Sequence, residues 1–331
     1  LDFTEQVHAT YAVVSQGAGK WDLQGGLRAE YARRDFTLKT SNESFPYDYF
    51  SLYPSAIANY KFTDALTSKI AYSRRVRRPG TQELNPFPQF FDPQNVFFGN
   101  PKLNPEYTDA IELGLVRTGK YGMVQVSPFF RHTTDIIRVN INTNDTFEGR
   151  DVTSISFQNL DKSDSWGTDL NGQLRFGPLG SVLAGFNIFK MVTDGGTTSV
   201  LSSDAVLWRA QMNATFNVGK NRNTTLQGQY FYRAPQTIER GRFSAQQGAN
   251  FSVRQKIMEG KATIALRLQD PFNTAGMRIL TGDDNITQLT SRKFGVRAAF
   301  LTFQYNWGQA PKITQPKQQQ DQPSSTGFPG G

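Results

Sequence analysis

Segments of period-two alternation recur along this chain, and the connections between them alternate between short and long. Val206, Trp208, Ala210, Met212, Ala214, Phe216 and Val218 oppose Arg209, Gln211, Asn213, Thr215 and Asn217. Ile264, Leu266 and Leu268 oppose Thr263, Arg267 and Gln269, and Phe251, Val253 and Ile257 oppose Ser252, Arg254 and Lys256. Each such segment is a strand with one apolar and one polar face. Tight turn signals stand at 17–20, 63–64, 119–120, 177–180, 219–221 and 259–260, and longer polar connections near 39–47, 79–104, 141–151, 193–204, 235–241 and 271–288. A barrel crossing an outer membrane sorts its connections in this way, with tight periplasmic turns and longer extracellular loops. A soluble sandwich has no reason to do so beyond a few Greek-key strands.

The fold class that follows is all-β, a transmembrane antiparallel β-barrel with its apolar face toward lipid. About thirteen strands are predicted, at roughly 3–16, 20–38, 48–62, 66–78, 105–117, 121–140, 152–176, 181–193, 204–218, 223–235, 242–257, 261–270 and 289–307. In the last of these Phe294, Val296 and Phe300 are even while Leu301, Phe303, Tyr305 and Trp307 are odd. One extra residue flips side-chain parity, so a bulge is expected near Phe300–Leu301.

Composition agrees. No window approaches the roughly 18–20 apolar residues of a membrane helix, as a barrel requires. Cysteine is absent, which removes disulfide and thiolate–metal chemistry. The net charge of +8 admits nucleic acid, but Lys and Arg are scattered along strands with no basic stripe, so no nucleic-acid partner is expected. Anionic lipopolysaccharide or a charged pore fits better.

One hairpin is long on one side only. Leu66, Ile70, Tyr72 and Val76 oppose Thr67, Lys69, Ser73, Arg75 and Arg77; then Pro79, Pro86, Pro88, Pro93, Pro101 and Pro105 intervene before alternation resumes through Ile111, Leu113 and Leu115. Proline cannot donate to a ladder, so this interval is expected to be a long ordered loop, neither sheet nor helix. Arg77-Arg78-Pro79, Leu84-Asn85-Pro86-Phe87, Gly99-Asn100-Pro101, Leu103-Asn104-Pro105-Glu106 and Glu112-Leu113-Gly114 resemble the signature hairpin of TonB-dependent outer-membrane receptors, in the barrel subgroup common in Bacteroidota-like bacteria. Asn159 to Leu170 resembles a second motif of that family, with Asp169 in place of its usual Glu. Asp270 to Thr274 resembles a third, with Pro271 in place of an apolar residue. The resemblance covers about residues 3–308, its sharp motifs about a fifth of that.

The resemblance implies a receptor that binds a scarce nutrient at its extracellular loops and imports it with energy delivered through TonB. Single-chain bacterial barrels have even strand numbers, and an open sheet in lipid leaves its edge groups unsatisfied. Residues 1–308 are therefore expected to be the C-terminal part of a 22-stranded barrel. About nine strands, the N-terminal plug and the segment that contacts the TonB complex would come from elsewhere, on the same or another chain. Leu1-Asp2-Phe3, already strand-like and without a secretion signal, does not read as a natural protein start. The competing reading is a non-transporting barrel, a structural or secretion-associated scaffold for a partner chain.

Candidate ligand contacts lie in and beside the long loop. Arg74, Arg75, Arg77 and Arg78 could take an anionic ligand through guanidinium forks, or could serve lipopolysaccharide and loop carbonyls. Phe87, Phe90, Phe91, Phe97 and Phe98 could clasp a ring-bearing ligand, or form the loop's own small core. Arg75, Arg77, Arg78, Phe90, Phe91, Phe97 and Phe98 are the expected ligand set. Trp21, Tyr31, Tyr60, Trp208, Tyr230, Tyr232, Tyr305 and Trp307 read as interfacial anchors. The ligand itself, whether siderophore, glycan, peptide or metal, is not legible.

No catalytic motif occurs, and no cofactor is implied. His132 and Asp135 are the one nearby pair, and strand parity points them to opposite faces. The acidic stretches 142–145 and 282–285 lack calcium-loop spacing and read as solvated loops. After Trp307 the chain is rich in Pro, Gln and Gly with almost no apolar content. Residues 309–331 are therefore expected to be a disordered periplasmic tail or a docking segment.

Overall fold

The computed structural model describes residues 2–39, 43–195, 203–238, 241–282, 287–295 and 297–307. Thirteen long strands form one antiparallel meander: β1 (Asp2–Ala18), β2 (Trp21–Leu38), β3 (Tyr47–Thr63), β4 (Leu66–Arg77), β5 (Glu106–Gly119), β6 (Gly122–Phe147), β7 (Arg150–Arg175), β8 (Gly180–Asp194), β9 (Ser203–Val218), β10 (Thr224–Arg233), β11 (Gln246–Ile257), β12 (Ala262–Gln269) and β13 (Ala298–Tyr305). Each pairs with the next in sequence. Among the described residues the sheet does not close, because β1 and β13 each have one strand neighbour.

The register sorts the faces as the alternation requires. Ile70, Leu113, Val126 and Leu170 lie outward, with Ile70 and Leu113 about half exposed. Ala110, Phe129, Asn187 and Leu207 lie inward and buried. Every tyrosine and tryptophan named above as an anchor, within the strands, has outward parity. Trp21 packs on Tyr60 at 4.6 Å beside one short turn, and Phe176 meets Phe216 at 5.9 Å beside another. Trp208 and Tyr232 stack at 4.7 Å, eight residues up β9 from Phe216. At about 3.4 Å per residue on a tilted strand, the two belts are about 20 Å apart. That spacing fits the apolar band of an outer membrane.

Three expectations change. The polar stretch 141–151 is not a loop: β6 and β7 run on as 26-residue strands to a turn at Glu148–Gly149, both with positive φ. A membrane crossing needs about 9–11 residues, so most of this hairpin stands beyond the bilayer. The bulge at Phe300–Leu301 is absent, since Ala298 to Tyr305 pair with Gln269 to Ala262 without a shift. The predicted 289–307 strand is instead two strands, with Phe294 after the first and Phe300 on the inner side of β13, opposite Arg267. Thr287–Lys293 belongs to a separate four-stranded sheet with Gln236–Ile238, Gly241–Phe243 and Gly276–Gly282, which occupies the two neighbouring long connections. The stretch 283–286 and the tail 309–331 lie outside the described residues.

The third family-like motif is a carboxylate cage. Asp270, with φ 42°, accepts from Thr274 N at 2.9 Å, Ala275 N at 3.0 Å and Thr274 Oγ1 at 3.3 Å. Burial raises its carboxyl pKa, but these donors outweigh that and hold it below the ordinary value. A depressed folded value gives stability that is present above the unfolded pKa, near 3.9, and lost as pH falls through the folded one. Asp270→Ala should therefore cost about 1–3 kcal/mol at pH 7 in denaturant midpoints. The gap from wild type should narrow below about pH 4 and close at lower pH.

Candidate functional site

The long loop of residues 78–105 folds back over the inner wall. It is not the wholly irregular segment expected, because the prolines fall between short regular segments: Gln89–Asp92 and Asn95–Phe97 are strands, and Thr81–Leu84 is helical, with Gly80 N donating to Glu83 Oε2 at 2.7 Å. Two Asn-Pro turns follow the same rule: Asn85 Oδ1 accepts from Phe87 N at 3.1 Å, and Asn100 Oδ1 accepts from Lys102 N at 3.0 Å. In each turn the Asn oxygen takes the backbone N–H two residues on, and the proline between them has no N–H that needs a partner. The two turns lie against each other through Gly99 N to Asn85 O at 2.6 Å and Asn100 N to Glu83 O at 2.7 Å.

Apolar residues fix the loop to the wall. Leu84 and Leu103 are fully buried against Phe36 and Leu38 of β2 and Ile137 of β6, with Phe87 and Phe157 at the margin. Asn95–Phe97 adds a short parallel strand to the edge of β7 at Thr153–Ile155, where β8 no longer reaches. Polar contacts complete the seat. Asn104 N donates to Asn159 Oδ1 at 2.9 Å, and Asn159 Nδ2 donates to Asn104 O at 3.1 Å and Asp135 O at 2.6 Å. Two motifs that carry the resemblance, 55 residues apart in sequence, thus bind each other.

The arginines at the loop's base are engaged. Arg77 reaches Glu83 Oε1 at 2.5 Å and Glu106 Oε1 at 3.2 Å. Arg78 pairs with buried Glu30 of β2 and donates through Nε to Tyr49 of β3 at 2.8 Å. Burial disfavours the Arg78 charge, yet Tyr49 and Glu30 outweigh it and hold the guanidinium pKa above its ordinary value. Arg34 of β2 donates to the loop carbonyls of Pro101 and Leu103 at 3.2 and 3.1 Å.

The comparisons with known proteins fit this architecture. The model of the outer membrane protein β-barrel family matches residues 1–305. The chain belongs to that family. Membership places it in the bacterial outer membrane. Among solved structures, 83% of the chain aligns with 44% of the copper transporter OprC at 14% identity and a TM-score of 0.60. The ferric yersiniabactin uptake receptor FyuA of Yersinia pestis gives 88% and 44% at 13% identity and 0.58. The ferric-catecholate import receptor Fiu of E. coli K12 gives 91% and 44% at 13% identity and 0.62. These likenesses show the barrel fold, and the chain spans less than half the length of each of these three proteins. A search of curated proteins found no match.

Within this outer-membrane barrel the seven residues expected at a ligand site do not form one cluster. Arg75 has inward parity opposite Thr108 and is exposed. Arg77 and Arg78 anchor the loop. Phe97 is buried with its ring edge-on to Phe157 at 5.7 Å, and Phe98 is half-buried. Phe90 remains 53% exposed and meets Phe147 of the projecting hairpin at 5.4 Å. Phe91 has its backbone in a short strand, and its side chain lies outside the described residues. His132 binds Asp164 at 2.7 Å, while Asp135 accepts from Asn104 Nδ2 at 3.3 Å, so the two are not partners. Sequence reasoning passed over Glu30, Arg34 and Tyr49, which receive the loop. Their signal was the run of charges at alternate positions Arg28, Glu30 and Arg34 in β2, opposing Leu27, Ala29 and Tyr31.

Proposed function

We propose that this chain is the larger part of the barrel of a TonB-dependent outer-membrane receptor, which binds a scarce nutrient from outside and imports it. The reading rests above all on one observation. A thirteen-strand meander with a lipid-compatible outer face and a polar inner face does not close on itself, and open edges are not tolerated in lipid. Further strands therefore complete the barrel, and a wide barrel of this kind carries a plug and draws its energy through TonB.

In this reading the extracellular face of the 79–104 loop meets the ligand, with Arg75 and Phe90 offering the free surface. Arg77, Arg78 and Phe97 serve by holding that surface in place, and Phe98 flanks it. The structural likeness to copper and iron importers makes metal chelates the first class to try. Cells grown under iron or copper limitation, with and without the receptor, should differ in accumulated metal. A protonophore should remove the difference. Equal accumulation under every limitation tried, together with a partner chain that co-purifies one to one, would instead support a scaffold.

A further inference from the structure

Arg209 of β9 and Arg233 of β10 face each other directly across the ladder, both on the inward side. Like charges so placed destabilise a sheet, with Cβ atoms only about 5 Å apart. Among the described residues no carboxylate neutralises them. Arg209 makes no ion pair, and Arg233 Nη2 donates to Gln236 Oε1 at 2.9 Å. Asp169 stands two strands from Arg209 and is taken by Asn187 Nδ2 at 2.6 Å.

The surroundings are those of a cavity. Asp169, Asn187, Arg209, Arg233 and Gln246 form one row across β7 to β11. They line a space of about 460 Å³ at the extracellular ends of β10 and β11. Phe231 borders it, 45% exposed, with its ring laid across Gly248 so closely that a Cβ there would stand 2.5 Å from it. An apolar ring face thus adjoins two unneutralised guanidinium forks. The small sheet that follows in the connections on this side carries Arg242, Arg278, Arg292 and Lys293.

We propose that this cavity binds an oxyanion, a carboxylate or phosphate of a small solute, bridged by Arg209 and Arg233 with the solute's carbon frame against Phe231. The anion would turn a repulsive pair into two charge-assisted hydrogen bonds. The proposal deepens the receptor reading and rests on its view of the inner wall as ligand-facing. Its test is direct binding to purified protein, which requires neither TonB nor import. A failed import assay leaves the site standing, and a failed titration leaves import standing.

The experiment is thermal unfolding of the purified full protein in detergent, titrated with citrate and separately with pyrophosphate at fixed ionic strength. A ligand that binds the folded state raises the midpoint saturably. Wild type should show this, with citrate or pyrophosphate acting at the lower concentration according to which oxyanion the site prefers. Arg209→Gln and Arg233→Gln should weaken it by about tenfold or more, and Arg209→Lys, which keeps charge but loses the fork, by less. Arg254→Gln, basic and inward but outside the cavity, should titrate as wild type. No saturable shift in wild type, or the same shift in every variant, would overturn the site. A midpoint lowered equally at all anion concentrations in Arg209→Gln would also overturn it, by showing that a protein carboxylate sits between the arginines.

Discussion

Replacing Glu30 with Gln should free the 78–105 loop from the wall. Glu30 is 5% exposed and takes Arg28 Nε at 2.5 Å on one oxygen and Arg78 Nη2 on the other. Removing one member of a buried pair leaves the remaining charge without compensation, at a cost of about 3–5 kcal/mol. Arg28 is half exposed and can turn to solvent, but Arg78, the loop's only ionic tie to β2 among the described residues, would keep only its longer ionic contact with Glu5 Oε1 of β1 at 3.8 Å. Amide hydrogen exchange across the loop should quicken by a hundredfold or more, since each 1.4 kcal/mol is about tenfold. The lower halves of β9 to β12, distant from the break, should keep their protection. Arg78→Gln should give the same pattern. The double variant should lose much less than the sum of the two, because each change already breaks the shared contact. Exchange that stays slow in both single variants would mean that the apolar seat of Leu84 and Leu103 suffices to hold the loop.

This division between an ionic base and an apolar seat was half visible in the sequence. Prolines at six positions marked the loop, and alternation marked the strands that flank it, because both act through local backbone chemistry. The partner of Arg78 is 48 residues away on a strand two places removed, and no local periodicity links the two. The sequence therefore leaves these arginines open between an anionic ligand and lipopolysaccharide or the loop's own carbonyls. The hairpin tip of β6 and β7 failed for a different reason. Alternation persists through Val139 and Ile141 against Asn140 and Asn142, and through Ile155 and Phe157 against Ser154 and Ser156, but beyond the membrane both faces of a strand are wet, and the run 143–151 between them is polar except for Phe147 and Gly149 and reads as a loop. In the last segment, a bulge and a break between two strands both flip parity. The pairing of Thr287–Lys293 with Gly276–Gly282 in the small sheet, apart from the unshifted pairing of β13 with β12, distinguishes them.

Gly99→Val should be among the most costly single changes in the loop. A Cβ at this position would stand 2.5 Å from both Asn85 N and Glu83 O, and 2.7 Å from the Glu83 carbonyl carbon. Those atoms are backbone, so no rotamer change relieves the collision. Glu83 O is also the acceptor in one of the two bonds by which the Asn-Pro turns hold each other. The Asn-Pro turns would separate, and with them would go the donation from Asn100 Nδ2 to Phe157 O at 3.1 Å. Overpacking against yielding side chains costs about 1–3 kcal/mol; against backbone on both sides, with three hydrogen bonds lost, the cost should exceed about 3 kcal/mol. Gly25→Ala on the outer face of β2 is the control, because nothing lies within 4 Å of its Cβ direction. It should stay within about 0.5 kcal/mol of wild type. Denaturant midpoints in detergent compare the stabilities, and protease cleavage within the exposed loop reads the docking. If Gly99→Val resists protease as wild type does, the interlocked turns are not what orders the loop, and the buried leucines must carry the loop alone.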